Sequence, residues 1–134
     1  MQHRVRYREC DPMGYVYHTH YLDWFEEART EALRDMGLAY ASIEADGIIM
    51  PVVDLALKYR KAARYDELVD VVTRVERSVP TTRVRFEYVA SEAQTGDVLV
   101  SGHVTLCFFD PSRGRPVRAP ERIASLFRSQ LAAQ

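Results

Sequence analysis

The chain has 134 residues, enough for one domain with one sizeable core, and its 47% hydrophobic and 28% charged residues are the balance of a globular protein. A formal net charge of −1 excludes the strongly basic balance of a general nucleic-acid binder, and no apolar run approaches the roughly 18 residues of a membrane span. The N-terminal stretch MQHRVRYREC has no apolar signal-peptide core, and Cys10 and Cys107 stand far apart without CxxC spacing, so a reduced, cytoplasmic protein is expected.

Residues 3–9 alternate, with Val5 and Tyr7 on one side and Arg4, Arg6 and Arg8 on the other, which predicts a half-buried strand. In the following CDPMGYVYHTH, Asp-Pro and Gly14 mark a turn. Over 20–36 the period changes: Tyr21, Trp24, Phe25, Ala28, Ala32 and Met36 recur at three- and four-residue steps, predicting a four-turn amphipathic helix that starts near Thr19 or His20. Gly37 is its left-handed stop. A short segment from Tyr40 to Gly47 is less defined. Alternation then predicts strands over 53–59, 69–76 and 83–88, and the run 98–109, apolar on nearly every residue, predicts a central strand covered on both faces. Turn signals at Ser78–Thr82 and Gln94–Asp97 make the later strands antiparallel neighbours. A Pro- and Arg-rich loop (110–120) leads to a helix with Ile123, Leu126, Phe127 and Leu131 on one face.

This order predicts one α+β domain over 1–134, with one long helix laid across one face of a curled antiparallel sheet. The sheet's edges and other face need covering, and a second copy of the chain is the economical cover, so a homodimer is expected.

Asp11 stands between a strand and the start of the long helix. A carboxylate there can act on an acyl group as general base or nucleophile, while the helix start offers N–H groups to a developing oxyanion. It can equally be a turn former or helix cap. His18, His20, His3 and Cys10 complete no metal-ligand set, so no metal is expected. Cys10 is either a thiol nucleophile with His18 as base or a small buried hydrophobe. His103 reads as a core histidine. Tyr15, Tyr17, Trp24 and Tyr59 either line a pocket or belong to the core. Lys58, Arg60, Lys61 and Arg64 form one basic cluster, and the five arginines of 111–128 form another. The helix over 19–36 is acidic. No G-x-S-x-G elbow, P-loop or G-x-G-x-x-G fingerprint is present.

The stretch YRECDPMGYVYHTHYLDWFEEART (7–30) resembles the signature of the 4-hydroxybenzoyl-CoA thioesterase family and its YbgC-like acyl-CoA thioesterase branch, with Tyr7, Glu9, Asp11, Gly14, Val16, Tyr21, Glu26 and Arg29 in the matching places. The resemblance implies the hot-dog fold and hydrolysis of an acyl-coenzyme A to free acid and CoA without a cofactor. It implies Asp11 as the catalytic carboxylate and the backbone N–H of His18 as the group that polarises the thioester carbonyl. Tyr7, Gly14, Tyr15 and Val16 are expected to meet the substrate, in a pocket between subunits of a homodimer or homotetramer. Arg60, Lys61 and Arg64 are candidates for the CoA phosphates on charge alone. His20 departs from the pattern, where relatives usually carry Asn, and Glu9 replaces a frequent Asp. Three rivals keep the fold: a hydratase, which would want a His five residues after Asp11, where Val16 stands; a non-catalytic acyl-CoA sensor; and a thioesterase acting on acyl-carrier-protein, docked on the Arg-rich 113–128 segment.

Overall fold

A computed structural model of the chain describes residues 1–132, with the backbone alone at Tyr40. Residues 133 and 134, the end of the expected domain, lie outside the described residues. Five strands, β1 (Gln2–Arg4), β2 (Val52–Tyr59), β3 (Leu68–Val75), β4 (Arg83–Glu92) and β5 (Val98–Cys107), form one antiparallel sheet in the order β1-β3-β4-β5-β2. The long helix α1 (His20–Asp35) lies on its inner face.

Period-two alternation explains which face is inner. In β4, Val84, Phe86, Tyr88 and Ala90 are buried, and their cross-strand partners Leu106, Val104 and Val100 on β5 are buried with them. Helix α1 meets this face with Tyr21, Trp24, Phe25, Ala28 and Leu33, all buried, while Glu26, Glu27 and Glu31 stay in solvent. Phe25 stacks on Tyr88 with ring centroids 4.5 Å apart. At the helix end Gly37 adopts φ +87; its N–H donates to the Arg34 carbonyl and the N–H of Leu38 to that of Leu33. Leu33 and Leu38, both buried, complete a Schellman cap where the glycine stop was expected. The segment after it forms a short helix, α2 (Tyr40–Ala45). Helix α3 (Glu121–Ala132) closes the core with Ile123, Ala124 and Phe127 buried and Leu126 and Leu131 at its margin.

Two expectations need correction. Residues 3–9 are not one strand: β1 stops at Arg4, Val5 is buried, and Tyr7–Glu9 wind into a 3₁₀ turn that leaves Tyr7 80% exposed. The turn forms because the Glu9 carboxylate folds back to accept the Arg6 N–H at 2.7 Å, a local bond that competes with the ladder. The run 98–109 also breaks, at Phe108. Phe109–Asp110 (β6) pairs instead with Arg115–Pro116 (β7), and on β5 the outward Ser101, His103 and Thr105 are only half-buried. The inner face of β5 is covered, and the nearly continuous apolar run exaggerated the cover of the other.

Gly102 sits where β5 passes β2. A Cβ there would meet the Ala56 carbonyl oxygen and Leu57 Cδ2, each at 2.5 Å. Since a backbone oxygen cannot step aside, Gly102→Ala is expected to destabilise the fold by about 1–3 kcal/mol, read as a lower urea midpoint. An unchanged midpoint would show that β2 shifts freely.

Candidate active site

The loop after the 3₁₀ turn is a tight hairpin, bridged between Cys10 and Val16. The Asp11 N–H donates to the Tyr15 carbonyl at 2.7 Å and the Gly14 N–H to the Asp11 carbonyl at 2.9 Å, with Gly14 at φ +85. Asp11 Oδ1 accepts from the N–H groups of Met13 (2.9 Å) and Tyr15 (3.2 Å). Asp11 is therefore a turn former in fact. Its other carboxylate oxygen has no hydrogen-bond partner among the described residues, and the half-buried side chain lines a cleft of about 410 Å³. Tyr15, Val16, Tyr17, His18, Tyr21 and Tyr59 line the same cleft, with Arg60 and Lys61 among its cationic neighbours. One residue thus holds the loop with one oxygen and leaves the other without a partner at the lining of the cleft.

The start of α1 forms the facing wall. The Tyr17 N–H donates to the Glu9 carbonyl at 2.9 Å and the His20 N–H to the Tyr17 carbonyl at 3.1 Å. The hydroxyl of Tyr59 donates to the His18 carbonyl at 3.0 Å. The N–H of His18 meets no acceptor among the described residues. It stands at the positive end of a sixteen-residue helix, where an anion or a polarised carbonyl oxygen is favoured.

Beneath this wall lies a polar network that sequence reasoning missed. Glu9 is buried, and its carboxylate accepts from Trp24 Nε1 (2.7 Å) and the Arg6 N–H (2.7 Å) and pairs with His3 Nε2 (2.8 Å). Burial pushes its carboxyl up, but the Arg6, His3 and Trp24 bonds outweigh this and hold it below the ordinary glutamate value. Trp24 therefore belongs to the core and anchors Glu9 rather than lining the pocket. The only sequence signal was the acid two residues before Asp11.

The remaining candidates divide. Gly14 supplies the turn, and Tyr15 and Val16 reach the cleft. Tyr7 is outside its lining and meets Tyr65 edge to face. Arg64 lies over the Tyr15 ring, 5.0 Å from its centroid, and donates to its hydroxyl at 3.0 Å. Lys61 is tied to Asp97 at 2.8 Å, which raises its ammonium pKa. No carboxylate among the described residues pairs with Arg60. His20 pairs with Asp23 at 3.0 Å and lines a different cleft, beside His3 and Trp24, so the departure from the family pattern lies away from Asp11. Cys10 is only half-buried, and burial together with the Glu9 and Asp11 charges raises its thiol pKa, which disfavours a thiolate nucleophile. His103 is no core histidine: it faces outward from β5 and meets Asp54 at 3.2 Å. In the Arg-rich segment, Arg113, Arg122 and Arg128 are engaged by Asp110, Asp46 and Glu121. That leaves Arg115 and Arg118 for an acidic partner.

Residues 5–127 match the model of the thioesterase-like superfamily. The chain is 32% identical over 126 residues to the acyl-CoA thioesterase YbgC of Haemophilus influenzae, covering 92% of this chain and 90% of that one. It is 44% identical to YneP of Bacillus subtilis over 72 residues, a match that spans 54% of this chain and about half (52%) of that relative's length. In structure it is similar to the DHNA-CoA thioesterase of Staphylococcus aureus, with a TM-score of 0.88, 32% identity, and coverage of 99% of this chain and 89% of that one. The antiparallel sheet over one long helix, the signature stretch around Asp11 and these likenesses agree, and the chain belongs to the thioesterase-like superfamily, as a YbgC-like thioester hydrolase of the hot-dog fold.

Proposed function

We propose that the chain hydrolyses an acyl-coenzyme A to free acid and CoA, with Asp11 as nucleophile or general base and the His18 N–H as oxyanion donor. The observation that carries this reading is the shared cleft: Asp11 and His18 both line it, and neither the second Asp11 oxygen nor the His18 N–H has a hydrogen-bond partner among the described residues. Thioester chemistry asks for little more, because the departing thiolate has a pKa near about 8.5 and needs no strong acid to leave. If Asp11 attacks, its oxygen bonds the acyl carbon, the C–S bond breaks, and water then splits the mixed anhydride. If Asp11 instead takes a proton from water, the resulting hydroxide attacks directly. A single turnover in heavy-oxygen water can reveal the anhydride, since label in Asp11 arises only when water attacks the Asp11 carbonyl of that intermediate.

Thiol release from a panel of acyl-CoAs, short aliphatic through aromatic, tests the reading. Turnover of at least one member is expected. Binding without release from any member would replace it with the sensor.

Arg60 at the cleft is assigned to the CoA phosphates. Arg60→Ala is expected to raise KM for an acyl-CoA about tenfold at unchanged kcat, while KM for the matching acyl-pantetheine, which lacks the nucleotide phosphates, stays put. Equal losses on both substrates would remove this role.

A second copy fits the edge strand β2, where Val52, Val53, Leu55 and Tyr59 are 44–49% exposed despite their apolar surface. We therefore take the working form to be a homodimer, alone or paired into a tetramer, built from one domain per chain. The two free thiols suit the reducing cytoplasm.

A further inference from the structure

We infer that Tyr59, at the end of β2, is a positioning residue for hydrolysis: its hydroxyl clamps the His18–Thr19 peptide and so holds the oxyanion-donating turn against the cleft. The inference rests on the thioesterase reading above. Residues 17–20 form a β-turn, closed by the bond from the His20 N–H to the Tyr17 carbonyl at 3.1 Å, with His18 and Thr19 as its central pair. In a trans peptide the C=O and N–H lie in one plane and point in opposite directions, so fixing a carbonyl fixes the N–H of the same peptide. The Tyr17 carbonyl is held by the His20 N–H, which directs the His18 N–H the other way. The His18 carbonyl is held by the Tyr59 hydroxyl at 3.0 Å, which does the same for the Thr19 N–H. Thr19 has φ −74 and ψ −23, the type I arrangement. Flipping the central peptide would drive this β-branched residue toward positive φ, so turn chemistry and the Tyr59 bond support one orientation.

Tyr59 is well placed to act as a clamp rather than a wall alone. It comes from the sheet, 41 residues along the chain from His18, and therefore ties the helix start to a rigid element. Its ring also meets Tyr21 edge-on at 5.7 Å and His18 at 6.4 Å, contacts that phenylalanine would keep. Tyr21 in turn accepts the Ala63 N–H at 3.0 Å, so the hydroxyls of two adjoining rings that line the cleft each hold a backbone group. Burial raises the Tyr59 hydroxyl pKa, so it stays a donor throughout the neutral range.

Tyr59→Phe removes only the hydroxyl from this arrangement. With benzoyl-CoA and hexanoyl-CoA as probes, kcat is expected to fall about tenfold while KM stays within about twofold and Tm is unchanged. A second readout is the carbonyl stretch of the bound, ¹³C-labelled thioester in an Asp11→Asn background. The oxyanion donor shifts it to lower frequency, and adding Tyr59→Phe should lessen that shift. Wild-type kcat in Tyr59→Phe, or a raised KM with lowered Tm and normal kcat, would overturn the inference by making Tyr59 a bystander or a wall. Those results leave the hydrolase reading intact. A wild-type protein that releases thiol from neither probe nor any panel member overturns both.

Discussion

Asp11→Asn is expected to lower kcat by about 10²–10⁴-fold, with little change in substrate affinity or in Tm. The choice of asparagine follows from the two tasks the side chain performs. Its Oδ1 accepts from Met13 and Tyr15 and shapes the turn, and an amide oxygen can accept the same two bonds. The other position becomes an NH₂, which can neither attack an acyl carbon nor take a proton from water. The substitution therefore separates turn formation from chemistry. Asp11→Ala does not, because it also releases the two N–H groups and lets the 10–16 hairpin loosen, so loss of activity in that variant alone would decide nothing. Thiol release at saturating and at low acyl-CoA, with a thermal melt of each protein, checks the expectation. Near-normal kcat in Asp11→Asn would leave Asp11 as the turn former it visibly is and would move the search for the catalyst elsewhere in the cleft.

That double role also explains how far the sequence could be read. Asp-Pro followed by Gly14 announced a turn, and the signature around it announced a family. Local pattern alone did not distinguish an Asp that only bends the chain from one that also faces a cavity, because the distinction lies in what His18 and Tyr59 bring across from other elements. The long helix was legible because its apolar period and its Gly37 stop are local facts. β3 and β4 were legible because they alternate. Residues 3–9 alternated as well, but there a local bond won: the Glu9 carboxylate folds back onto the Arg6 N–H, with Trp24 on its other oxygen, and the strand became a turn. The 98–109 run misled in the opposite sense: its outward residues Ser101, His103 and Thr105 are polar, but the apolar residues crowded around them masked that alternation. Tyr59 was visible only as an aromatic at strand spacing, and nothing in its own segment indicates a bond to His18.

Glu9→Gln, close in shape to the native residue, is expected to destabilise the fold by about 1–3 kcal/mol at neutral pH. The carboxylate accepts on both oxygens: Oε1 from the Arg6 N–H and His3, Oε2 from Trp24 Nε1. An amide has one accepting oxygen, so its NH₂ must confront either the Trp24 or the Arg6 N–H, donor against donor in a buried site. The pH dependence follows from the lowered Glu9 pKa. A group ionised more readily in the folded than in the unfolded chain adds stability that is complete above the ordinary glutamate pKa and is lost as pH falls through the lowered value. The gap in urea-unfolding free energy between wild type and Glu9→Gln should therefore be full at pH 7 and narrow as the pH falls below the ordinary glutamate pKa. A gap that is absent at pH 7, or that stays constant below that pKa, would show that the buried charge contributes nothing. The same variant tests whether support for the turn reaches the site, because the Glu9 carbonyl accepts the Tyr17 N–H and Tyr17 adjoins His18. If the network holds the helix start in place, kcat should fall in Glu9→Gln even at temperatures where the protein remains folded. A destabilised protein with undiminished kcat would confine Glu9 to the core.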